Sequence, residues 1–329
     1  MENVFRIEEW TNDEWTLYLK NLGWIPNGST VFSVDRMPGG NMNLSLKVKH
    51  RDGILFLKQG RPWVEKFPEY AAPWGRTELE AEFYRATKDI SEISSFMPRF
   101  IGVDVKNQVM AIDFLDASID GGVVYRSQTG TQFYRDHSRA LLGYLEALKG
   151  IDPRKISQKF SENKLRPLNA YHIYDFPFLD TQIALIAEKS GESLSWLRSS
   201  NFNLVRDQLK ADYFSTGPTL LHGDFYPGSF LLHGGKLMII DPEFCILGRS
   251  EFDVGNLMGH LILAGGDASE IELEWQSSLF FRSLDISYIR KVAGVEILRR
   301  LLGVAKVHES VVAAELTRWI TLASTLTVA

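Results

Sequence analysis

Residues 219–244 read TLLHGDFYPGSFLLHGGKLMIIDPEF. His222, Asp224, Asp241 and Glu243 stand there among apolar runs. Acidic residues are seldom fully buried unless they are paired or hold a metal, so the pattern points to a functional site rather than to plain core. SFLLH and KLMIID read as two short strands joined by Gly234-Gly235, a hairpin that carries the chain from the Asp224 loop to Asp241-Pro242-Glu243.

Outward from this hairpin the texture is helical on both sides. FYRDHSRALLGYLEALKGI has apolar residues three and four apart and stops at Gly150-Ile151-Asp152-Pro153. Residues 153–176 are poorly periodic and read as irregular, 178–198 and 201–214 read as helices, and everything after Phe252 is helical again. The N-terminal third differs. After a helix that starts at Thr11-Asn12-Asp13, the segments STVFSVDRM, NLSLKVKHR and GILFLKQG alternate like three strands, separated by Pro38-Gly39-Gly40 and Arg51-Asp52-Gly53. A loop, RPWVEKFPEYAAPWG, and a helix over Thr77–Lys88 follow, and FMPRFIGVDVKNQVMAIDFLD supplies two more strands.

The chain has 329 residues, 45 % of them apolar, enough for two ordinary domains or one large two-lobed one. Asp and Glu outnumber Lys and Arg, 41 to 36, without a long basic run, which argues against nucleic acid or an anionic membrane as partner. The single cysteine, Cys245, rules out an intramolecular disulfide and a cysteine-based zinc site, and reads as a small core residue. MENVFRIEEW lacks the form of a secretory signal, and no apolar run approaches the ~20 residues that span a bilayer, so the cytoplasm is the expected location.

Phosphoryl transfer to a hydroxyl needs a carboxylate to accept or orient the hydroxyl proton and oxygen ligands that hold magnesium on nucleotide phosphates. Asp224, with Ser229 five positions on and Asp241 and Glu243 beyond the hairpin, can supply both. In protein kinases a catalytic Asp is likewise followed five residues later by a metal-binding Asn and, after a short hairpin, by the Asp of Asp-Phe-Gly. Lys58, ending the strand Ile54-Leu55-Phe56-Leu57, and Glu80 on the following helix have the form of a phosphate-binding lysine held by a helix carboxylate. Gly39-Gly40-Asn41, between the first two strands, would let the backbone approach phosphate oxygens.

TLLHGDFYPGSFLL followed by IIDPEFCILGRSEFDVGNLMGHLILA resembles the 5-methylthioribose kinases, within the broader aminoglycoside phosphotransferase and choline kinase-like group. PGGNMN, FLKQGRP and VEILRRLLGVAKV resemble that family's nucleotide loop, lysine strand and twin-arginine helix. The resemblance implies that Asp224 is the catalytic base, that Asp241 and Glu243 bind metal, and that Ser229 takes the place of a metal-binding asparagine. It further implies that Lys58 binds ATP phosphates, that the strand end Asp113-Phe114-Leu115 meets adenine through its backbone, and that Trp74, Arg299 and Arg300 contact the acceptor. Asp253 would brace the Asp224 loop, and His222 would do so through backbone hydrogen bonds. Tyr226-Pro227 stands where these kinases carry His-Thr, a difference that bears on the acceptor more than on the reaction.

The expectation is thus an α+β, two-lobed, protein kinase-like fold: an N-lobe, residues 1–115, with a five-stranded antiparallel sheet and a helix, and a mostly helical C-lobe, residues 116–329. ATP would sit in the cleft between them with Mg2+, and the γ-phosphoryl group would pass to a hydroxyl of a small sugar-like acceptor, methylthioribose first among candidates. Three alternatives stay open: a kinase for an aminoglycoside, amino alcohol or other sugar; a nucleotide-binding pseudokinase; and a hydrolytic metal centre built from His222, Asp224, His233, Asp241 and Glu243. The oligomeric state is undetermined, with the resemblance leaning towards a homodimer.

Overall fold

Alternation decides the N-terminal sheet. In Leu44–His50, Leu44, Leu46 and Val48 are buried while Lys47 and Lys49 point the other way, the period of a strand with one face on a core. The computed structural model describes residues 6–38, 42–308 and 311–328, and divides into two units.

The first unit comprises Met1–Ser118 with Asn163–Leu165. Helix α1 (Asn12–Asn21) opens with a full capping box, in which the Thr11 side chain accepts from the Glu14 N–H and Glu14 accepts from the Thr11 N–H. Strands β1 (Val31–Arg36), β2 (Leu44–His50) and β3 (Gly53–Gln59) form a meander; β4 (Trp63–Val64) and β5 (Phe67–Ala71) form a separate hairpin. Helices α2 (Arg76–Thr87) and α3 (Ser91–Ser94) precede β6 (Phe100–Asp104) and β7 (Val109–Asp113). The five-stranded order is β1-β2-β3-β7-β6, all neighbours antiparallel, so β3 is central. One face of it, through Leu46, Val48, Leu55 and Leu57, packs with Trp15 and Leu19 of α1. Helix α2 lies against β6 and β7, burying Phe83 and Tyr84. The β4–β5 hairpin falls in the stretch that reads as loop; β4 has two residues and β5 contains Pro68, too short and too broken for a periodic signal.

The second unit, Ile119–Glu162 with Arg166–Ala329, is mainly helical. It begins with β8 (Ile119–Asp120), α4 (Val123–Ser127), α5 (Gly130–Lys149), α6 (Arg166–Ala170), α7 (Asp180–Ser190) and α8 (Ser200–Phe214). Next come β9 (Thr219–Leu221), the hairpin β10 (Phe230–His233) and β11 (Lys236–Ile239), and β12 (Ile246–Gly248). The chain finishes in α9 (Ser250–Leu263), α10 (Ala268–Trp275), α11 (Leu279–Arg282), α12 (Ile286–Leu302) and α13 (Ala313–Val328). Helix α9 is buried along almost its whole length, with α5 and α12 against it. Its Gly255 and Gly259 meet Val292 and the Ala293 carbonyl of α12 so closely that added methyl groups would lie 2.5 and 2.8 Å from them.

The β10–β11 hairpin forms where the sequence places it, with both Gly234 and Gly235 at positive φ, and β8 extends it to three strands. Strand β12 was not anticipated: three residues, all buried, pair with β9 and close a small ladder around the Asp224 loop. The irregular reading of 153–176 resolves into short helical turns, among them a π-helical turn at Tyr171–Asp175. Cys245 is buried. Among the described residues no helix is long and apolar enough to cross a membrane.

Candidate active site

The His222-Gly223-Asp224 turn leaves β9, and three contacts fix its shape. The Asp253 carboxylate on α9 accepts the N–H of His222 at 2.7 Å and of Gly223 at 3.0 Å. His222 hydrogen-bonds through Nε2 to the Ile240 carbonyl at 3.0 Å, while its Nδ1 accepts the Asp224 N–H at 3.4 Å. With Nδ1 an acceptor, Nε2 carries the proton and donates. The Ser229 hydroxyl donates to the Asp224 carbonyl at 2.8 Å. The expected bracing roles of Asp253 and His222 are therefore visible in the geometry. Burial pushes the Asp253 carboxyl up to about 7, against the opposing pull of the two N–H donors.

The hairpin returns the chain to this turn. Gly223 has φ of 83° and packs on the Phe244 backbone. Asp241 occupies the left-handed region, φ 62° and ψ 50°, at the start of the Pro242–Phe244 turn. Such a conformation in a residue other than glycine marks stored strain, and Asp tolerates it better than most. Glu243 is buried, and its charge is felt at Asp224.

The Asp224 side chain retains 21 % exposure, and its Oδ1 lies 3.6 Å from an NH2 of Arg300. Burial raises its carboxyl to about 6; Arg300 and Arg299 oppose the rise, Glu296 and Glu243 reinforce it. Arg299 and Arg300 are both buried, and both bond Glu296, also buried: Arg300 Nε to Oε1 at 2.6 Å, Arg299 NH1 to Oε2 at 3.1 Å. Adjacent residues on a helix point about 100° apart, yet one carboxylate three and four positions back gathers both guanidiniums. Arg300 lies 4.8 Å over the Tyr226 ring, and the Tyr226 and His260 rings are 4.4 Å apart.

In the first unit, Lys58 and Glu80 meet as expected from their order: Nζ sits 2.9 and 3.0 Å from the two carboxylate oxygens, with both residues almost fully buried. The strand end is partly occupied. Asp113 and Phe114 give their N–H groups to the Arg99 and Ile54 carbonyls, and the Asp113 carboxylate takes two hydrogen bonds from Arg99. Leu115 accepts the Ser118 hydroxyl. Trp74 is 38 % exposed. Gly39, Gly40 and Asn41 lie outside the described residues, but the chain beside them is anchored by Arg76, which donates to the Asn43 side chain at 2.6 Å and to the Met42 carbonyl at 2.9 Å.

Arg76, His260 and Glu296 were missed in the sequence, whereas Tyr226 was read there only as a difference on the acceptor side. Glu296 had a readable signal, its spacing of three and four from the arginine pair. Arg76 and His260 had none, because their partners are remote in the chain.

Among the described residues no three His, Cys, Asp or Glu side chains cluster as a metal cage. Magnesium suits the donors that are present, since it is commonly held by one or two carboxylates plus substrate phosphates. The Ser229 oxygen keeps lone pairs beside its donated hydrogen bond. A hydrolytic centre fits poorly: both His222 nitrogens are engaged with main chain.

The methylthioribose kinase of Citrobacter koseri is 25 % identical over 264 residues, covering 75 % of this chain and 64 % of the relative. That of Pectobacterium atrosepticum is 22 % identical over 267 residues, 77 % and 65 %. This chain thus spans a little under two-thirds of the length of these curated relatives. Among solved structures, a choline/ethanolamine kinase family protein from Mesorhizobium loti superposes with a TM-score of 0.51 at 17 % identity, covering 95 % of this chain and 94 % of that one. A spectinomycin phosphotransferase in complex with ADP and spectinomycin gives 0.50 at 15 %, covering 97 % and 98 %. These structural likenesses show a shared kinase-like fold, an antiparallel N-terminal sheet with a helical C-terminal part. A family model described as "Phosphotransferase enzyme family" matches residues 48–278, well over half of the sequence, and the chain accordingly belongs to the phosphotransferase enzyme family.

Proposed function

We propose that this protein is an ATP-dependent kinase that transfers the γ-phosphoryl group to a hydroxyl of a small sugar-like acceptor, with methylthioribose the first candidate. The observation that carries the reading is the Asp224 carboxylate, held on a turn braced by Asp253 and packed against the Asp241-Pro242-Glu243 turn. Residues 1–115 would hold the nucleotide, with Lys58 on its phosphates, Glu80 steadying that lysine, the Gly39-Gly40-Asn41 turn over the phosphates, and the backbone from Asp113 to Leu115 at adenine. Residues 116–329 would carry the transfer.

In the proposed step the acceptor hydroxyl gives its proton to Asp224, its oxygen bonds to the γ-phosphorus, and the bond from that phosphorus to the ADP oxygen breaks. Asp241, Glu243 and the Ser229 oxygen would hold Mg2+, which when bound supplies positive charge to the phosphates. Arg299 and Arg300 would bind acceptor oxygens, with Trp74 as a further contact. A buried guanidinium pair favours a neutral or anionic acceptor over a cationic aminoglycoside or amino alcohol, whose binding calls for acidic or aromatic walls. Retention of the base sets the reading apart from a pseudokinase.

The test is a screen of hydroxyl acceptors with ATP and magnesium, beginning with methylthioribose and including aminoglycosides and choline, read as ADP formation and phosphorylated product. Acceptor-dependent ADP formation with a sugar is the expected result. Nucleotide binding without turnover across the panel would favour the scaffold reading.

A further inference from the structure

Glu296 has no part in the roles above, yet it is 1 % exposed and gathers an unusual set of partners. Its Oε1 meets His260 Nε2 at 2.9 Å, Arg300 Nε at 2.6 Å and Arg299 NH1 at 3.2 Å, and its Oε2 meets Arg299 NH1 at 3.1 Å. His260 Nδ1 in turn lies 2.5 Å from the Tyr125 hydroxyl. Burial pushes the Glu296 carboxyl up, but Arg299, Arg300 and His260 outweigh it and hold it well below the usual carboxylate range. An ionised carboxylate only accepts, so His260 donates from Nε2 and Nδ1 accepts from Tyr125. Burial, with Arg300, takes that imidazole down to about 4, which keeps it neutral at physiological pH.

We infer that Glu296 is a positioning residue of the transfer site: it tethers Arg300 so that the guanidinium stands beside Asp224 without closing on it as a hydrogen-bonded pair. This rests on the reading of Asp224 as the base. An arginine free beside a carboxylate settles into a fork-like pair at roughly 2.7–2.9 Å. Here the closest approach is 3.6 Å, an ion-pair distance beyond hydrogen bonding. Each other side of the guanidinium is occupied: Nε by Glu296, NH1 by the Ala305 carbonyl at 3.2 Å, and one face by the Tyr226 ring. Were Arg300 released, it would cover the Asp224 oxygens that have to receive the acceptor proton and would stabilise their ionised form, a weaker base.

The groups facing this tether are Arg299 on the same helix, His260 on α9, Tyr125 on α4, Tyr174 on the 171–175 turn, and Asp224 and Tyr226 on the loop, with Glu243 facing Asp224. A bare charge effect of Glu296 on Asp224 would change turnover on removal whether or not Arg300 is present. The tether acts only through Arg300, so a double-mutant cycle separates the two.

The experiment is a crystal structure of Glu296→Gln beside wild type, with the Arg300–Asp224 separation as the readout. Expected is a guanidinium that leaves its 3.6 Å station and closes on Asp224 as a fork-like pair at roughly 2.7–2.9 Å. An Arg300 that keeps its place, or turns away from Asp224, would overturn the tether. If Glu296→Gln does not fold, Glu296→Asp serves: it keeps the charge and shortens the reach, so loss of the tether again moves Arg300 while a bare charge effect leaves it in place. With an acceptor from the screen, Glu296→Gln should lower kcat about tenfold when Arg300 is present and by no more than about threefold in the Arg300→Ala background; equal losses in both would overturn the tether. The separation is read without turnover, so it stands even if Asp224→Asn transfers phosphate at the wild-type rate and the base assignment falls.

Discussion

A Cβ placed on Gly223 would sit 2.1 Å from the Phe244 carbonyl oxygen, so the turn bearing Asp224 and the turn bearing Asp241 and Glu243 are in backbone contact. Gly223 also takes φ of 83°, a region costly for any side chain. Gly223→Ala should therefore lose stability by more than the roughly 1–3 kcal/mol of backbone strain alone, and lose activity with it. An unchanged Tm with unchanged turnover would show that the two turns separate without consequence.

Asp224→Asn should lower phosphotransfer by a factor on the order of 10²–10⁴, the usual worth of a positioned base, with nucleotide affinity retained. Wild-type turnover in that variant would remove the base assignment.

The wild-type rate should fall on the acid side of about 6, where the raised Asp224 carboxyl takes up a proton. For stability the sign is the reverse of a salt-bridged carboxylate. A folded value above the unfolded one costs stability that is fully present above about 6 and disappears below the unfolded value near 3.8. Asp224→Asn should accordingly be more stable than wild type at pH 8, by on the order of 3 kcal/mol from a two-unit shift. Denaturant titrations at pH 8 and pH 4 test this, the gap closing at the lower pH.

Asp241→Ala should abolish magnesium-stimulated ATP turnover, with a modest loss of stability because Ala tolerates the left-handed backbone at this position less well than Asp. Turnover measured against magnesium concentration checks this, and a variant retaining full stimulation would place the cation on other groups.

Lys58 and Glu80 form a buried pair, and removal of one member of such a pair typically costs about 3–5 kcal/mol because the other charge is stranded. Glu80→Gln should weaken both thermal stability and ATP affinity, with acceptor binding unaffected. Calorimetry of nucleotide binding beside a thermal melt distinguishes this from a purely structural pair, for which affinity per folded molecule would be constant.

The Arg299→Ala, Arg300→Ala double variant should raise acceptor KM at least tenfold without altering nucleotide binding. An unchanged acceptor constant would mean that both guanidiniums serve only Glu296 and Asp224.

Much of the fold was legible because its signals are local. Strands β1, β2 and β3 announce themselves by alternation and by Arg51-Asp52-Gly53, and α1 by a capping box that needs four consecutive residues. The hairpin from Phe230 to Ile239 is marked by its own paired glycines. What escaped was short or non-periodic: the β4–β5 hairpin, β12, and the turns between 153 and 176, whose residues are set by contacts with distant segments rather than by any repeat. Within the candidate site, Lys58–Glu80 and the Asp224, Asp241 and Glu243 order were readable as a sequence of chemical types. Of the partners of Arg300, Glu296 carried a local signal in its spacing, whereas Asp224 and Tyr226 carried none.

The amino-acid sequence by itself determined the strand and helix periods and the identity and order of the acidic, lysine and arginine groups, because each of these is written in neighbouring residues. Only the tertiary structure decided which of those charges face one another: Asp224 with Arg300, 76 positions apart, Glu296 with His260, 36 apart, and Asp253 with the Asp224 turn. The physical reason is that charge pairing inside a fold depends on distances of a few ångströms and on loss of water. Both are fixed by the packing of α9 and α12, and neither leaves a periodic mark along the chain.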